Sequence, residues 1–332
     1  MTELRFFTQN PATFKNFHPL ATVLKANLQV FSLNIAKPLV LPISSAPLLP
    51  GHRVFFSIVL KPLSSFGSLA SDLKGYLKVS VHLKNQVEVL CPIGTAPKEF
   101  KPFSATNQIP QIKNQTDFIE ILEPVSDLNL VIEPQNGFDL SLLDYVVIAV
   151  VPQKNEDPSL STAAQNNLLS YHPISQYSFS GEIQHRICCP TSLLMLDDNK
   201  YSIDISPYFI NACKNEFANA FGVWPQNIMQ FSRLGYAGLC LALSSLNQLQ
   251  ALLNVGYRLA ISLAWNPGEL NQSFLKSTAG HFMVPERVGQ TEIQVLDPAA
   301  PTPQQVRVKY PAAQFEKLWI RHGGICLVFF KK

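Results

Sequence analysis

The sequence predicts an α+β protein in two parts: an N-terminal antiparallel β-sandwich, then a domain in which helices lead into an antiparallel sheet. Three observations carry this expectation. At 332 residues the chain is about twice an ordinary single domain, which points to two cores. A hydrophobic period of two runs through residues 28–151, and beyond it the texture turns to mixed helix and strand. Between them the chain is polar and lacks an apolar period, so the expected division is a first domain over 1–153, a linker over 154–170 and a second domain over 171–332.

Residues 77–83 show the strand pattern most clearly. Leu77, Val79, Val81 and Leu83 are apolar while Lys78, Ser80 and His82 are polar, so one face packs and the other meets water. Residues 28–35, 53–60, 117–122, 128–133 and 145–151 read as further strands, separated by turns such as Leu49-Pro50-Gly51 and Pro134-Gln135-Asn136-Gly137. Strands at this spacing, with no long helix between them, predict the antiparallel sandwich. After the linker, residues 190–196 form a helix with proline near its start, where a missing amide proton costs nothing. Residues 245–254 form another, with Leu246, Leu249, Leu252 and Leu253 on one side. Strands follow at 259–264, 281–285 and 293–296, then a helix at 312–321 and a closing strand at 325–330.

Composition removes several functional classes. Hydrophobic residues make up 47% and charged residues 15%, against about a quarter charged in ordinary soluble proteins, so global disorder is excluded. A net charge of +3 leaves no electrostatic footprint for nucleic acid. The longest apolar runs fall well short of the roughly 20 residues that span a bilayer, so no membrane span is expected. The opening Met1-Thr2-Glu3-Leu4-Arg5-Phe6-Phe7 lacks the basic start and long apolar stretch of a secretory signal. Cytoplasmic residence, or export by a signal-peptide-independent route, is the expectation. Cys91, Cys188, Cys189, Cys213, Cys240 and Cys326 have neither metal-ligand spacing nor the density of a disulfide framework, and fit a reducing compartment. With no phosphate-cradling glycine loop either, no cofactor or metal is implied.

Two segments carry candidate chemistry. In Ile187-Cys188-Cys189-Pro190-Thr191-Ser192-Leu193 a cysteine stands at a helix start, where unpaired N–H groups and the positive end of the macrodipole favour thiolate. The plain alternative is a pair of small buried residues. In Gly280-His281-Phe282-Met283-Val284 and Glu292-Ile293-Gln294-Val295-Leu296-Asp297-Pro298, a turn centred on Gly289 puts His281 directly opposite Asp297, with Cβ atoms about 5 Å apart. That spacing suits a carboxylate that orients an imidazole, and a one-residue slip would send the two to opposite faces. Cysteine first, then histidine about a hundred residues later, then a carboxylate on a neighbouring strand, is the chain order of papain-like sites.

An ordered series of motifs strengthens this reading: Pro173-Ile174-Ser175-Gln176, Cys188-Cys189-Pro190-Thr191-Ser192 with Met195, Gly222-Val223-Trp224-Pro225-Gln226-Asn227, Gly280-His281, Leu296-Asp297-Pro298-Ala299, and residues 315–319. The series resembles the cysteine peptidases related to bacteriocin leader-processing, double-glycine enzymes, family thirty-nine, over residues 171–332. The resemblance implies a papain-like fold for the second domain, and a thiol hydrolase acting on a peptide or protein substrate. It implies Cys188 as nucleophile, His281 as general base, Asp297 as the residue that orients it, and Gln176 as a side-chain donor to the oxyanion. Two positions depart from the family: Cys189 replaces the usual Gly or Ser, and Leu296 replaces the common Asn before Asp-Pro. Gln184 is a rival to Gln176 without its motif context, while Trp224 and Trp265 read as packing residues. Two alternatives use the same residues: a binding module that keeps the fold without turnover, and a deamidase or transamidase.

Overall fold

In the computed structural model the residues described are 1–10, 15–35, 38–63, 73–152, 169, 171–198 and 206–332, so the expected linker lies outside the described residues apart from Leu169. The fold is α+β and mostly sheet. Contacts divide the chain into two compact units, Met1–Asn155 with Ala212–Cys240 and Lys332, and Glu156–Asn211 with Leu241–Lys331.

The first unit contains β1 (Glu3–Thr8), α1 (His18–Leu24), β2 (Asn27–Ser32), β3 (Leu39–Pro42), β4 (Arg53–Leu60), β5 (Tyr76–Leu83), β6 (Gln86–Val89), β7 (Ile93–Gly94), β8 (Ile112–Asn114), β9 (Phe118–Ile121), β10 (Asn129–Gln135) and β11 (Leu143–Val151). One sheet has the order β2-β1-β11-β4-β9-β8 and the other β3-β10-β5-β6, with β7 also on β5. Alternate residues of both sheets enter one core, Phe56, Ile58 and Ile148 from the first and Leu77, Val79 and Ile132 from the second. Pairing is antiparallel except for β1 with β2, which run parallel in register Glu3↔Asn27 to Thr8↔Ser32. This corrects the wholly antiparallel expectation. The seven-residue α1 makes the crossover that a parallel pair requires, and it is too short to stand out as a periodic helix in the sequence.

The strands β4 and β11 are apolar along nearly their whole length rather than alternating, the mark of burial on both faces. The second cover comes from residues 212–240, which the sequence reading assigns to the second domain. They hold α4 (Trp224–Arg233) and most of β12 (Tyr236–Ala242). Helix α4 packs on β4. Three hydroxyls fasten this layer: Ser232 accepts from the Leu60 N–H at 2.8 Å, Ser57 accepts from the Cys240 N–H at 2.9 Å, and the Tyr145 hydroxyl bonds both backbone groups of Gly238.

The second unit carries the candidate chemistry on α2 (Cys188–Leu196), β13 (Arg258–Trp265), β14 (Thr278–Val288), β15 (Glu292–Leu296), β16 (Arg307–Pro311) and β17 (Ile325–Lys331), with α5 (Leu246–Val255) and α6 (Ala312–Arg321); α3 spans Ser206–Cys213. Strands β17, β13, β14, β15 and β16 lie side by side in that order. Helix α2 packs on β14 and β13 and is buried over all but its first residue, Thr191 and Ser192 included. Serine 245 caps α5 by accepting from the Gln248 N–H at 3.2 Å, and Gly256 ends it in the left-handed conformation at φ 94°.

Candidate active site

Helix α2 begins at Cys188, with Ile187 as its N-cap and no side chain capping it. Its first N–H groups are therefore available to a thiolate, and Cys188 is partly exposed while Cys189 behind it is buried. None of the six cysteines is joined to another by a disulfide. Burial raises the Cys188 pKa, but a hydrogen bond and charge interaction with His281, together with the Phe282 and Cys189 backbone N–H groups, hold it below the ordinary thiol value.

Histidine 281 sits on β14 opposite Leu263 of β13, 1% exposed. Its Nε2 lies 2.7 Å from Oδ1 of Asp297, which leaves Nδ1 for the thiol. Burial opposes charge on the imidazole, yet the adjoining carboxylate and its hydrogen bond, with the Cys188 thiol, raise its pKa above the ordinary value. Asp297 is fully buried and the bonds to its carboxylate are made by donors: Oδ1 also accepts from the Ala299 N–H at 2.8 Å, and Oδ2 accepts from the Tyr310 hydroxyl at 2.6 Å. Burial raises its pKa, but His281, Tyr310 and Ala299 keep it below the usual carboxylate range.

The expected strand register needs correction. The turn is closed by a hydrogen bond from the Gly289 N–H to the Glu292 carbonyl at 2.8 Å, so its tip is Gln290-Thr291 rather than Gly289. A bulge between Pro285 and Arg287 takes back one residue, and Val284 pairs with Leu296. Asp297 thus continues across from Met283, not from His281. The net displacement is even, so both side chains keep the same face and meet diagonally. The bulge also turns Glu286 toward Arg307, which it holds through two bonds of 2.7 and 2.9 Å.

Gln176 is buried and opens a short 3-10 turn capped by Ser175. The turn is tied to the loop after Asp297: the Gln176 N–H donates to the Pro298 carbonyl at 2.8 Å, and the Ser175 hydroxyl to the Ala300 carbonyl at 2.5 Å. The Gln176 side chain hydrogen-bonds the Tyr177 hydroxyl, while its Oε1 is buried without a partner. The rival Gln184 lies in an exposed turn against His185 at 3.4 Å.

Two side chains at the site were not chosen from the sequence. Trp265, read as packing, stands perpendicular to the His281 ring at 5.9 Å. Tyr310 went unnoticed, although Arg307-Val308-Lys309-Tyr310 alternates and places Tyr310 on the apolar side of β16. A buried tyrosine hydroxyl needs a partner, and that was the available signal. Gly222-Val223-Trp224-Pro225-Gln226-Asn227 lies in the first unit, where the Trp224 N–H donates to Asp117 at 2.7 Å.

No family model and no curated protein matches the chain. Solved structures do. The chain is similar to a C39-like peptidase. That structure, from Bacillus anthracis and assigned as C39-like, is 18% identical, with 50% of this chain and 97% of that one covered and a TM-score of 0.36. Another similar structure is a double-glycine motif protease from an AMS/PCAT transporter in complex with the leader peptide, at 19% identity, 44% and 85% coverage and a TM-score of 0.22. Among the described residues no helix is long and apolar enough to cross a membrane.

Proposed function

We propose that this protein is a cysteine peptidase, with a papain-like domain over 171–332 preceded by a β-sandwich over 1–153 that positions a peptide or protein substrate. The observation that carries the proposal is a thiol at a helix start bonded to an imidazole whose other nitrogen is held 2.7 Å from a buried carboxylate. In this reading His281 takes the Cys188 proton, and the thiolate attacks the scissile carbonyl carbon. The tetrahedral oxyanion is held by the Gln176 amide and a backbone N–H. Collapse breaks the C–N bond as imidazolium returns its proton to the leaving amine, leaving a thioester. Water, deprotonated by His281, then releases the acid and restores the thiol. Asp297 holds the imidazole in orientation and stabilises its cation without taking the proton.

The test is iodoacetamide labelling of the purified protein across pH, with the labelled site located by mass spectrometry. Rapid labelling of Cys188 below pH 7 that is lost in His281→Ala is the expected result. Labelling no faster than an ordinary thiol would mean a binding module instead. A comparison of new peptide termini generated by wild type and Cys188→Ala separates hydrolysis from deamidation, which adds about one dalton without cutting the chain.

A further inference from the structure

We propose that Tyr310 is a positioning residue of the site, acting through Asp297 to set the ionisation of the Cys188–His281 couple; the inference rests on the peptidase reading above. Asp297 has two oxygens and each has a separate task. Oδ1 meets His281 at 2.7 Å and the Ala299 N–H at 2.8 Å, and Oδ2 meets only the Tyr310 hydroxyl, at 2.6 Å, among the bonds the structure gives it. Asp297 and Tyr310 are both 0% exposed, so water cannot substitute for either partner.

A carboxylate bound through one oxygen can rotate about its Cβ–Cγ bond and spoil the bond to imidazole. Anchoring Oδ2 stops that rotation and makes the bond to His281 a property of the fold. The anchor is itself built. Tyr310 is held in β16 opposite Ile293 of β15, and its ring stacks on Phe315 of α6 at 6.0 Å. The Ser273 side chain also stands against the Tyr310 hydroxyl, whose single proton goes to Asp297. The neighbouring Leu275 carbonyl accepts both the Ser273 hydroxyl at 2.9 Å and the indole N–H of Trp265 at 3.2 Å, and Trp265 is the ring that stands against His281. One loop therefore braces the imidazole and the anchor of its carboxylate together. The ionisable groups that act on the Asp297 carboxylate or feel its charge are His281 from β14, Tyr310 from β16 and Tyr177 from the turn after Ser175; Cys188 of α2 bonds His281 from the other side. Burial keeps both tyrosines neutral, since it raises their pKa values, and Tyr310 is the donor to Asp297.

The experiment is the pH profile of Cys188 alkylation in wild type, Tyr310→Phe, Asp297→Asn and the double variant, with thermal melting of each. Losing the hydroxyl weakens the carboxylate's hold on imidazolium, so the labelling midpoint in Tyr310→Phe rises by about half to one pH unit. In the Asp297→Asn background the same change adds no further shift, because the route through the carboxylate is already broken. A lower melting temperature with an unmoved midpoint makes Tyr310 merely structural and overturns the inference while leaving the peptidase reading intact. A wild-type midpoint like that of an ordinary thiol overturns both. If Tyr310→Phe does not fold, 3-fluorotyrosine at position 310 decides: it retains the ring and hydroxyl while changing the strength of its donation, so a midpoint shifted in either direction supports the inference and an unchanged one overturns it.

Discussion

Asp297 is where the residue-scale energetics concentrate, because it is a buried charge whose carboxylate is bonded by donors. Removing it as Asp297→Ala strands His281 and Tyr310 and is expected to destabilise by about 3–5 kcal/mol, measured by urea denaturation. The pH dependence of this difference follows from the shifts. The raised His281 pKa contributes stability that is complete below the ordinary imidazole value and is lost as pH rises through the folded value. The depressed Asp297 pKa contributes stability that is complete above the ordinary carboxylate value and is lost as pH falls through the folded value. The stability gap between wild type and variant should therefore plateau between about pH 4 and about pH 6.5 and shrink on both sides. A gap independent of pH would contradict the ionised pair. At this scale Cys188, His281 and Asp297 stand out in the sequence by residue type and chain order, and the structure brings their side chains together. Tyr310 does not stand out, since a tyrosine in a strand is ordinary until its hydroxyl is seen to meet a carboxylate.

At the scale of elements, side chains that satisfy another element's backbone matter more than propensity. The Tyr145 hydroxyl of β11 accepts from the Gly238 N–H at 2.8 Å and donates to the Gly238 carbonyl at 3.1 Å, inside a buried layer. Tyr145→Phe leaves both backbone groups without this partner and should cost about 2 kcal/mol in chemical denaturation. No measurable loss would mean that Gly238 finds other partners in solution. Strand and helix existence was readable where an apolar pattern ran over eight or more residues: residues 53–60 and 312–321 form the expected β4 and α6 to the residue. Short elements such as β7 and β8 were missed because two or three residues cannot display a period. The β14–β15 register was misjudged because a bulge at Glu286 and a turn tip at Gln290-Thr291 depend on backbone hydrogen bonds that composition does not announce.

At the scale of the whole molecule, the first unit is completed by residues 212–240, far along the chain from its other strands. Residues 1–153 expressed alone leave bare the faces of β4 and β11 that α4 and β12 otherwise cover. Such a fragment should bind a hydrophobic dye strongly and melt without a cooperative transition, whereas the full chain should melt cooperatively. A fragment with a sharp, dye-silent transition would show that residues 212–240 are dispensable to it.

The sequence by itself determined the α+β class, most of the longer strands and helices, and three reactive residue types in a telling order. These are local properties, carried by period, composition and spacing. Only the tertiary structure decided what covers β4 and β11, that β1 and β2 run parallel, and that a tyrosine from β16 closes the carboxylate's second oxygen. Each of these joins residues far apart along the chain, and no local pattern encodes which of many compatible surfaces or hydroxyls will arrive as the partner.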